Sequence, residues 1–98
     1  MGFRHVVLFR WTSESTAEQR AGALAALQQW GRDAAGFGTL TVGPDAALAE
    51  GNFDTAVVVD LPDRATYLAY AADPRHQRMI AEHIRPILHS RAAVQHET

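Results

Sequence analysis

Residues 3–11 read FRHVVLFRW, a run rich in the aromatic and β-branched residues that are typical of strands. Side chains alternate along a strand, so odd-numbered and even-numbered positions lie on opposite faces. The first face holds Phe3, His5, Val7, Phe9 and Trp11, and the second holds Arg4, Val6, Leu8 and Arg10. Because both faces are apolar in the middle, we expect this strand to be covered on both sides.

The remaining elements follow from the same kind of pattern. Ser15 and Glu18 fit a capping box that begins a helix, which we expect to run to Trp30 and to end at Gly31. Further helices are predicted over residues 62–72 and 75–85, separated by Asp73-Pro74, since the residue before a proline avoids the α region. The other strands are predicted at TLTVG (39–43), FDTAVVVDL (53–61) and HSRAAVQHE (89–97).

The resulting order, β-α-β-β-α-β, predicts an α+β fold of the ferredoxin-like type in a single domain over residues 1–98. Such a domain has a four-stranded antiparallel sheet with helices on one face. The sequence nevertheless places large apolar side chains on a sheet face that we assign to the side away from the helices, namely Val7, Phe9, Trp11, Val57, Val59 and Leu61. We therefore expect a second copy of the chain to cover that face in a two-fold homodimer.

Composition excludes several classes of function. The formal net charge is −2, and the nine basic residues, all arginines, are scattered along the chain, which argues against a nucleic-acid-binding protein. There is no cysteine, which excludes disulfides, thiolate metal sites and cysteine nucleophiles. The apolar run near the N-terminus is short and broken by Arg4, His5 and Arg10, so we expect neither a signal peptide nor a membrane span. A cytoplasmic protein is the expectation.

Together, FRHVVLFRW, the VGPD turn, the EGNFDTAVVVDL strand and the AYAADPRHQRMI segment resemble the stress-responsive dimeric α/β-barrel (Dabb) family. The most specific features are His5, in the third position of the first strand, and the Tyr-x-x-x-Pro-x-His run from Tyr70 to His76. The resemblance covers essentially the whole chain. It implies a ferredoxin-like protomer that pairs with another to form a barrel-like dimer with an internal cavity.

One branch of that family comprises polyketide cyclases of the olivetolic acid type, which act without a metal or organic cofactor. The resemblance implies that Tyr70 and His76 form an acid–base pair and that His5 lies in the same cavity. The substrate would be a hydrophobic ketone or polyketide-like molecule, and its expected contacts are His5, Val7, Phe9, Trp11, Thr55 and Val57. The chain departs from the cyclase pattern at Thr55, where the cyclases have a histidine, and at Asp73, where many members of the family have one.

The residues themselves leave two interpretations open for each candidate. His76 can exchange a proton near neutral pH, but it can also brace the turn after Pro74 through Asp73 or a backbone carbonyl. His5 can face a substrate, or it can be a core histidine satisfied by one hydrogen bond. Trp11 suits packing at the end of the strand, with a place at the mouth of the cavity as the alternative.

No metal site is predicted. His76 and His83 are seven residues apart, or about 10 Å along a helix axis, which is too far for one ion to bridge. Asp45, Asn52 and Asp54 offer oxygen ligands of the kind that Mg²⁺ and Ca²⁺ prefer, but turn-forming roles fit their spacing better.

Two classes of function remain open on the sequence. The chain is either a small cofactor-independent enzyme of the cyclase, lyase or isomerase type, or a non-catalytic homodimer with a stress or accessory role and structural histidines. Convergence of Tyr70, His76 and His5 on a cavity of about 300 Å³ or more distinguishes them, because an enzyme needs room for its substrate.

Overall fold

The structure, a computed structural model, describes residues 2–98. Four strands and three α-helices make up the fold. The strands are β1 (Phe3–Trp11), β2 (Thr39–Pro44), β3 (Thr55–Leu61) and β4 (Leu88–Glu97), and the helices are α1 (Ala17–Asp33), α2 (Arg64–Ala72) and α3 (Pro74–Met79). Among these residues, no helix is both long enough and apolar enough to cross a membrane.

The strands form one sheet in the order β2-β3-β1-β4, and every neighbouring pair is antiparallel. The two central strands are therefore β1 and β3, whose sequences are the most apolar. In the register of β1, His5 lies between Val59 of β3 and Gln95 of β4. This arrangement confirms the predicted ferredoxin-like fold with four antiparallel strands.

The helices cover the face of the sheet that carries the odd-numbered residues of β1. Its side chains pack with helical residues in one buried cluster: Phe3, Val7, Phe9, Trp11, Val57, Val59 and Leu61 with Ala23, Leu27, Trp30, Tyr70 and Ile84. The prediction that a second subunit covers this face is therefore wrong. Alternation shows which side chains share a face, but it does not show which face the helices cover.

The opposite side, here called the open face, carries the smaller aliphatic side chains Val6, Leu8, Ala56, Val58, Ala92 and Val94. Val6, Leu8 and Val58 are half-buried by their neighbours in the sheet, and Val94 is 60% exposed. This is the apolar surface that the protomer leaves uncovered.

The first helix begins and ends later than predicted. Thr16, not Ser15, is the N-cap: its hydroxyl accepts the N–H of Gln19 at 3.0 Å, and the Gln19 side chain accepts the N–H of Thr16 at 2.8 Å. The Ser15 hydroxyl instead donates to the carbonyl of Thr12. The helix continues past Gly31 to Asp33. Gly31 instead makes room for Leu40, since an added Cβ would lie 3.2 Å from Leu40 Cδ2.

The segment after α2 changes pitch twice instead of forming one helix over residues 75–85. Asp73 ends α2 in an extended conformation and caps α3, accepting the N–H of Arg75 at 2.8 Å. A wide π-helical turn, Ile80–Ile84, and a tight 3₁₀ turn, Arg85–Ile87, then lead into β4. Short π-helical turns are frequent at functional sites, and this one borders a cavity.

Candidate functional site

A cavity of about 300 Å³ lies between the sheet and the helices of one protomer. Its floor comes from β1 and β3, and its walls come from the helices and from β4. Its lining includes His5, Val7, Phe9, Leu27, Val57, Tyr67, Tyr70, His76, Gln77, Met79, Ile80, Ile84, Arg85, Leu88 and Arg91. The volume is at the lower end of the range of small-molecule sites, roughly 300–1,000 Å³.

Tyr70 lies in the last turns of α2 and is almost completely buried. Its hydroxyl oxygen accepts a hydrogen bond from the indole Nε1 of Trp30 at 3.0 Å. Burial raises the pKa of Tyr70 to about 12, partly offset by the Trp30 bond, so that the phenol keeps its proton at neutral pH. None of the hydrogen bonds within residues 2–98 uses this proton, so it can be donated to a molecule in the cavity.

His76 lies in the first turn of α3 with its ring 4.9 Å from that of Tyr70, centroid to centroid. Its Nδ1 is 3.2 Å from the carbonyl oxygen of Ala71, a group that can only accept, so Nδ1 carries the proton and Nε2 keeps its lone pair. Burial lowers the pKa of His76, although the Ala71 bond and the charge of Asp73 oppose that change. His76 is therefore neutral at physiological pH, with a basic nitrogen available.

His5 projects from the centre of β1 toward α2, with its ring 5.0 Å from that of Tyr67 and 6.3 Å from that of Tyr70. Its Nδ1 accepts a hydrogen bond from the Gln95 amide at 2.8 Å, which leaves the proton on Nε2. Burial lowers the pKa of His5 to about 4, and the charges of Arg91 and His76 contribute in the same direction. His5 is thus a neutral donor.

The fold brings together six of the eight residues that the sequence suggests for a site. Tyr70, His76 and His5 share the cavity, and Val7, Phe9 and Val57 supply part of its apolar surface.

Trp11 and Thr55 do not line this cavity, which corrects their expected role. Both are buried and line another groove near Pro44, at the far end of the sheet. The Trp11 ring stacks on that of Phe9 with centroids 5.4 Å apart, which is the packing role. Thr55 lies opposite Phe9 on the β3 side, whereas the cavity extends past Phe9 toward β4.

The oxygen-bearing side chains of the loop before β3 form hydrogen bonds within the chain. Asp45 accepts the N–H of Ala47 at 3.0 Å and the amide of Asn52 at 3.1 Å, and Asp54 accepts the N–H of Trp11 at 2.8 Å. These are turn-forming and strand-anchoring contacts. Within residues 2–98, no group of three or more histidine or acidic side chains is placed to hold a metal ion.

Among the site residues that were not predicted from the sequence, Arg91 and Tyr67 line the cavity and Gln95 binds the His5 ring. Gln95 and Arg91 lie on β4 opposite His5 and Phe9, so the register of β4 on β1 brings them to the site. The alternation of β4 puts them on one face together, but nothing in the sequence fixes that register. Tyr67 was overlooked although its spacing of three residues from Tyr70 predicts a shared face of α2.

The site therefore offers two neutral hydrogen-bond donors, the Tyr70 hydroxyl and His5 Nε2–H, and one unprotonated nitrogen, His76 Nε2. All three border one cavity, whose lining is partly apolar and partly polar. Such a set can stabilise negative charge on an oxygen atom while it removes a proton from a neighbouring atom.

Solved structures show the same fold. A dimeric ferredoxin-like protein of unknown function from Thermobifida fusca is 37% identical, with 100% of this chain and 92% of that chain covered and a TM-score of 0.89. A Dabb family protein from Mesorhizobium loti is 14% identical, with 99% and 96% covered and a TM-score of 0.82. A hydroxynitrile lyase from Passiflora edulis is 17% identical, with 99% and 93% covered and a TM-score of 0.83.

Among curated proteins, none matches this chain. The family model described as the stress responsive A/B barrel domain, Dabb, matches residues 3–97. That match spans every strand and helix described above, including both ends of the sheet. The chain is therefore a member of the stress-responsive A/B barrel (Dabb) family.

Proposed function

We propose that this protein binds a hydrophobic ketone or polyketide-like molecule in the cavity of each protomer and moves a proton on the carbon next to its carbonyl group. The observation that carries the proposal is the convergence of Tyr70, His76 and His5 on one cavity. Hydrogen bonds set the tautomers of the two histidines, and burial keeps the phenol of Tyr70 protonated. Sites that combine perturbed pKa values with an apolar pocket are good candidates for catalysis.

The proton transfer follows from the three side chains. The carbonyl oxygen of the substrate accepts hydrogen bonds from the Tyr70 hydroxyl and from His5 Nε2–H. His76 Nε2 takes the proton from the adjacent carbon, and the electron pair of the broken C–H bond moves onto the oxygen as an enolate. The two donors stabilise that negative charge. When the enolate carbon attacks a second carbonyl of the same molecule, a ring closes and the alkoxide formed there takes the proton back from His76. When no second carbonyl is in reach, return of the proton to a different carbon completes an isomerisation.

The proposal uses only side chains of this chain and no cofactor. Each donor is held before the substrate arrives, because Trp30 fixes the Tyr70 oxygen and Gln95 fixes the His5 ring. Donors that need no reorientation during the reaction stabilise developing charge most effectively.

A homodimer is part of the proposal. The open face leaves Val6, Leu8, Val58 and Val94 at the protomer surface, and relatives of the same fold are described as dimeric. Pairing two open faces would bury these side chains. In that arrangement the cavities stay within the protomers, on the far side of each sheet.

The second candidate is a non-catalytic homodimer with a stress or accessory role. The observation that favours it is that His76 also braces the turn between α2 and α3: it shares the Ala71 carbonyl with Gln77, whose amide donates at 2.7 Å. In this alternative, His5 serves only to link β1 and β4 through Gln95.

Hydrogen–deuterium exchange of the methyl protons of acetophenone in D₂O, followed by NMR, separates the two functions. We expect the protein to accelerate exchange, and His76→Asn to lower the rate by about 10²-fold or more. Asparagine keeps a donor near the position of Nδ1, so that the Ala71 contact survives while the basic nitrogen is lost. His83→Asn is the matched control and should retain the rate, because the same substitution is made at an exposed histidine that does not line the cavity. Equal rates for the wild type and His76→Asn would support the non-catalytic alternative.

A further inference from the structure

Two arginines border the cavity on its exposed side. Arg91 lies on β4 opposite Phe9, and Arg85 lies in the 3₁₀ turn that leads into β4. Both line the cavity, and both are exposed. Arg91 is close enough to His5 for its charge to help lower the pKa of that ring.

Neither of these arginines forms an ion pair with another described side chain. None of the ion pairs or side-chain hydrogen bonds found among residues 2–98 involves Arg85 or Arg91. In contrast, Arg4, Arg64 and Arg75 each pair with an acidic side chain within 3.0 Å. The described residues that line the cavity include no aspartate or glutamate. The cavity therefore carries two positive charges on its exposed side and neutral donors in its buried part.

A neighbouring groove differs from the cavity, because its arginines lie beside acidic side chains. The groove beside α1 and α3 also contains two arginines, Arg75 and Arg78, but it includes Asp33 and Glu82 as well. Opposite charges there compensate one another. Uncompensated arginines at the mouth of an apolar cavity attract anions and can hold a carboxylate with paired N–H donors.

We propose that the natural ligand is an oxo acid, with its carboxylate held at the cavity mouth by Arg85 and Arg91 and its carbonyl oxygen against Tyr70. The carbonyl end of this inference rests on the proposed function, whereas the carboxylate end rests on the arginines alone. The apolar side chains between the two ends, among them Val7, Val57 and Ile84, would contact the hydrocarbon part of the ligand.

Calorimetric titration with β-benzoylpropionate and with its methyl ester tests the inference. The two probes share the aryl ketone and differ in charge. We expect the acid to bind about tenfold more tightly than the ester, and Arg91→Gln or Arg85→Gln to remove most of that preference while leaving the affinity for the ester nearly unchanged. Arg78→Gln is the control, since Arg78 is exposed in α3 but does not line the cavity.

The outcomes separate this inference from the proposed function. If the ester binds as tightly as the acid, or if the Arg85 and Arg91 variants weaken both probes equally, the oxo-acid inference is wrong and the ketone site stands. If neither probe binds to the wild type, the oxo-acid inference and the proposed function are both wrong. Raising the salt concentration should weaken binding of the acid alone, and weakening of both probes by salt would also contradict the inference.

Discussion

The indole nitrogen of Trp30, on α1, donates a hydrogen bond to the hydroxyl oxygen of Tyr70, on α2, at 3.0 Å. An indole N–H can only donate, so the tyrosine oxygen is the acceptor and its own proton remains available. Both side chains are buried, and the two rings are 5.6 Å apart between centroids. One contact therefore joins two helices and sets the direction in which Tyr70 can donate.

Tyr70→Phe should lower the free energy of unfolding by about 1–2 kcal/mol, because the buried indole N–H of Trp30 loses its acceptor. Urea denaturation followed by circular dichroism measures the change. Tyr67→Phe is the matched control: within residues 2–98 the hydroxyl of Tyr67 forms no hydrogen bond with another side chain or the backbone, so its loss should change stability little. Equal effects of the two substitutions would show that the hydrogen bond from Trp30 does not contribute to the free energy of unfolding.

His5 should make stability depend on pH between about 4 and 6.5. Its pKa is about 4 when folded and 6.5 ordinarily, so in this range the unfolded chain binds the proton and the folded chain does not. The free energy of unfolding should therefore fall as the pH falls from 6.5 to 4, by about 2–3 kcal/mol from His5. His76, whose pKa burial also lowers, adds a decrease of the same sign.

Denaturation at a series of pH values checks this, with His5→Gln as the comparison, because the variant should keep only the contribution of His76. Asp63 and Asp73, whose pKa values are lowered by their hydrogen bonds, begin to affect stability only below about pH 5. An imidazole of His5 that titrates near 6.5 by NMR would contradict the prediction.

Gln95→Glu should reverse the protonation pattern of the His5 ring. The amide of Gln95 donates to Nδ1 and keeps the proton on Nε2, whereas a carboxylate at that position would accept a hydrogen bond from Nδ1–H and raise the pKa of His5. Nitrogen-15 NMR of the imidazole distinguishes the two forms. Gln29→Glu, on the exposed surface of α1, is the control and should leave the ring unchanged. An unaltered His5 signal in Gln95→Glu would mean that Gln95 does not set its tautomer.

The sequence predicts the fold well because its periodicities are strong. The alternation of β1 and β3, and the proline and aspartate that break the helices, were sufficient to place four strands and two helical regions in order. The N-cap was predicted one residue too early, because the pairs Thr16-Gln19 and Ser15-Glu18 both suit a helix start. In the structure the Ser15 hydroxyl bonds to the Thr12 carbonyl instead, and Thr16 caps the helix.

The site was predictable only in part, because it depends on distances across the fold. The pattern from Tyr70 to His76 places the two rings near one another through local geometry. The covered face of the sheet was assigned wrongly, since Val57 and Val58 are equally apolar and only the packing of Trp30 and Leu27 shows which side the helices occupy. The contributions of Gln95 and Arg91 depend on strand register, which the sequence does not fix.

A carboxylate introduced at either of two adjacent residues of β3 should have different effects on folding and on dimerisation. Val57→Glu places a carboxylate in the core between sheet and helices and should unfold the protein. Val58→Glu places it on the open face and should leave a folded protomer that no longer dimerises. Sedimentation velocity and circular dichroism check both outcomes. A dimeric Val58→Glu would mean that the open face is not the dimer interface.

The most direct measurement is a crystal structure of the protein soaked with acetophenone. We expect the ligand in the cavity between sheet and helices of each protomer, with its carbonyl oxygen within about 3 Å of the Tyr70 hydroxyl and its methyl carbon facing His76 Nε2. Two results would contradict binding in this cavity. One is ligand density only at another place, such as between two open faces, and the other is a cavity that stays free of ligand at saturating concentration.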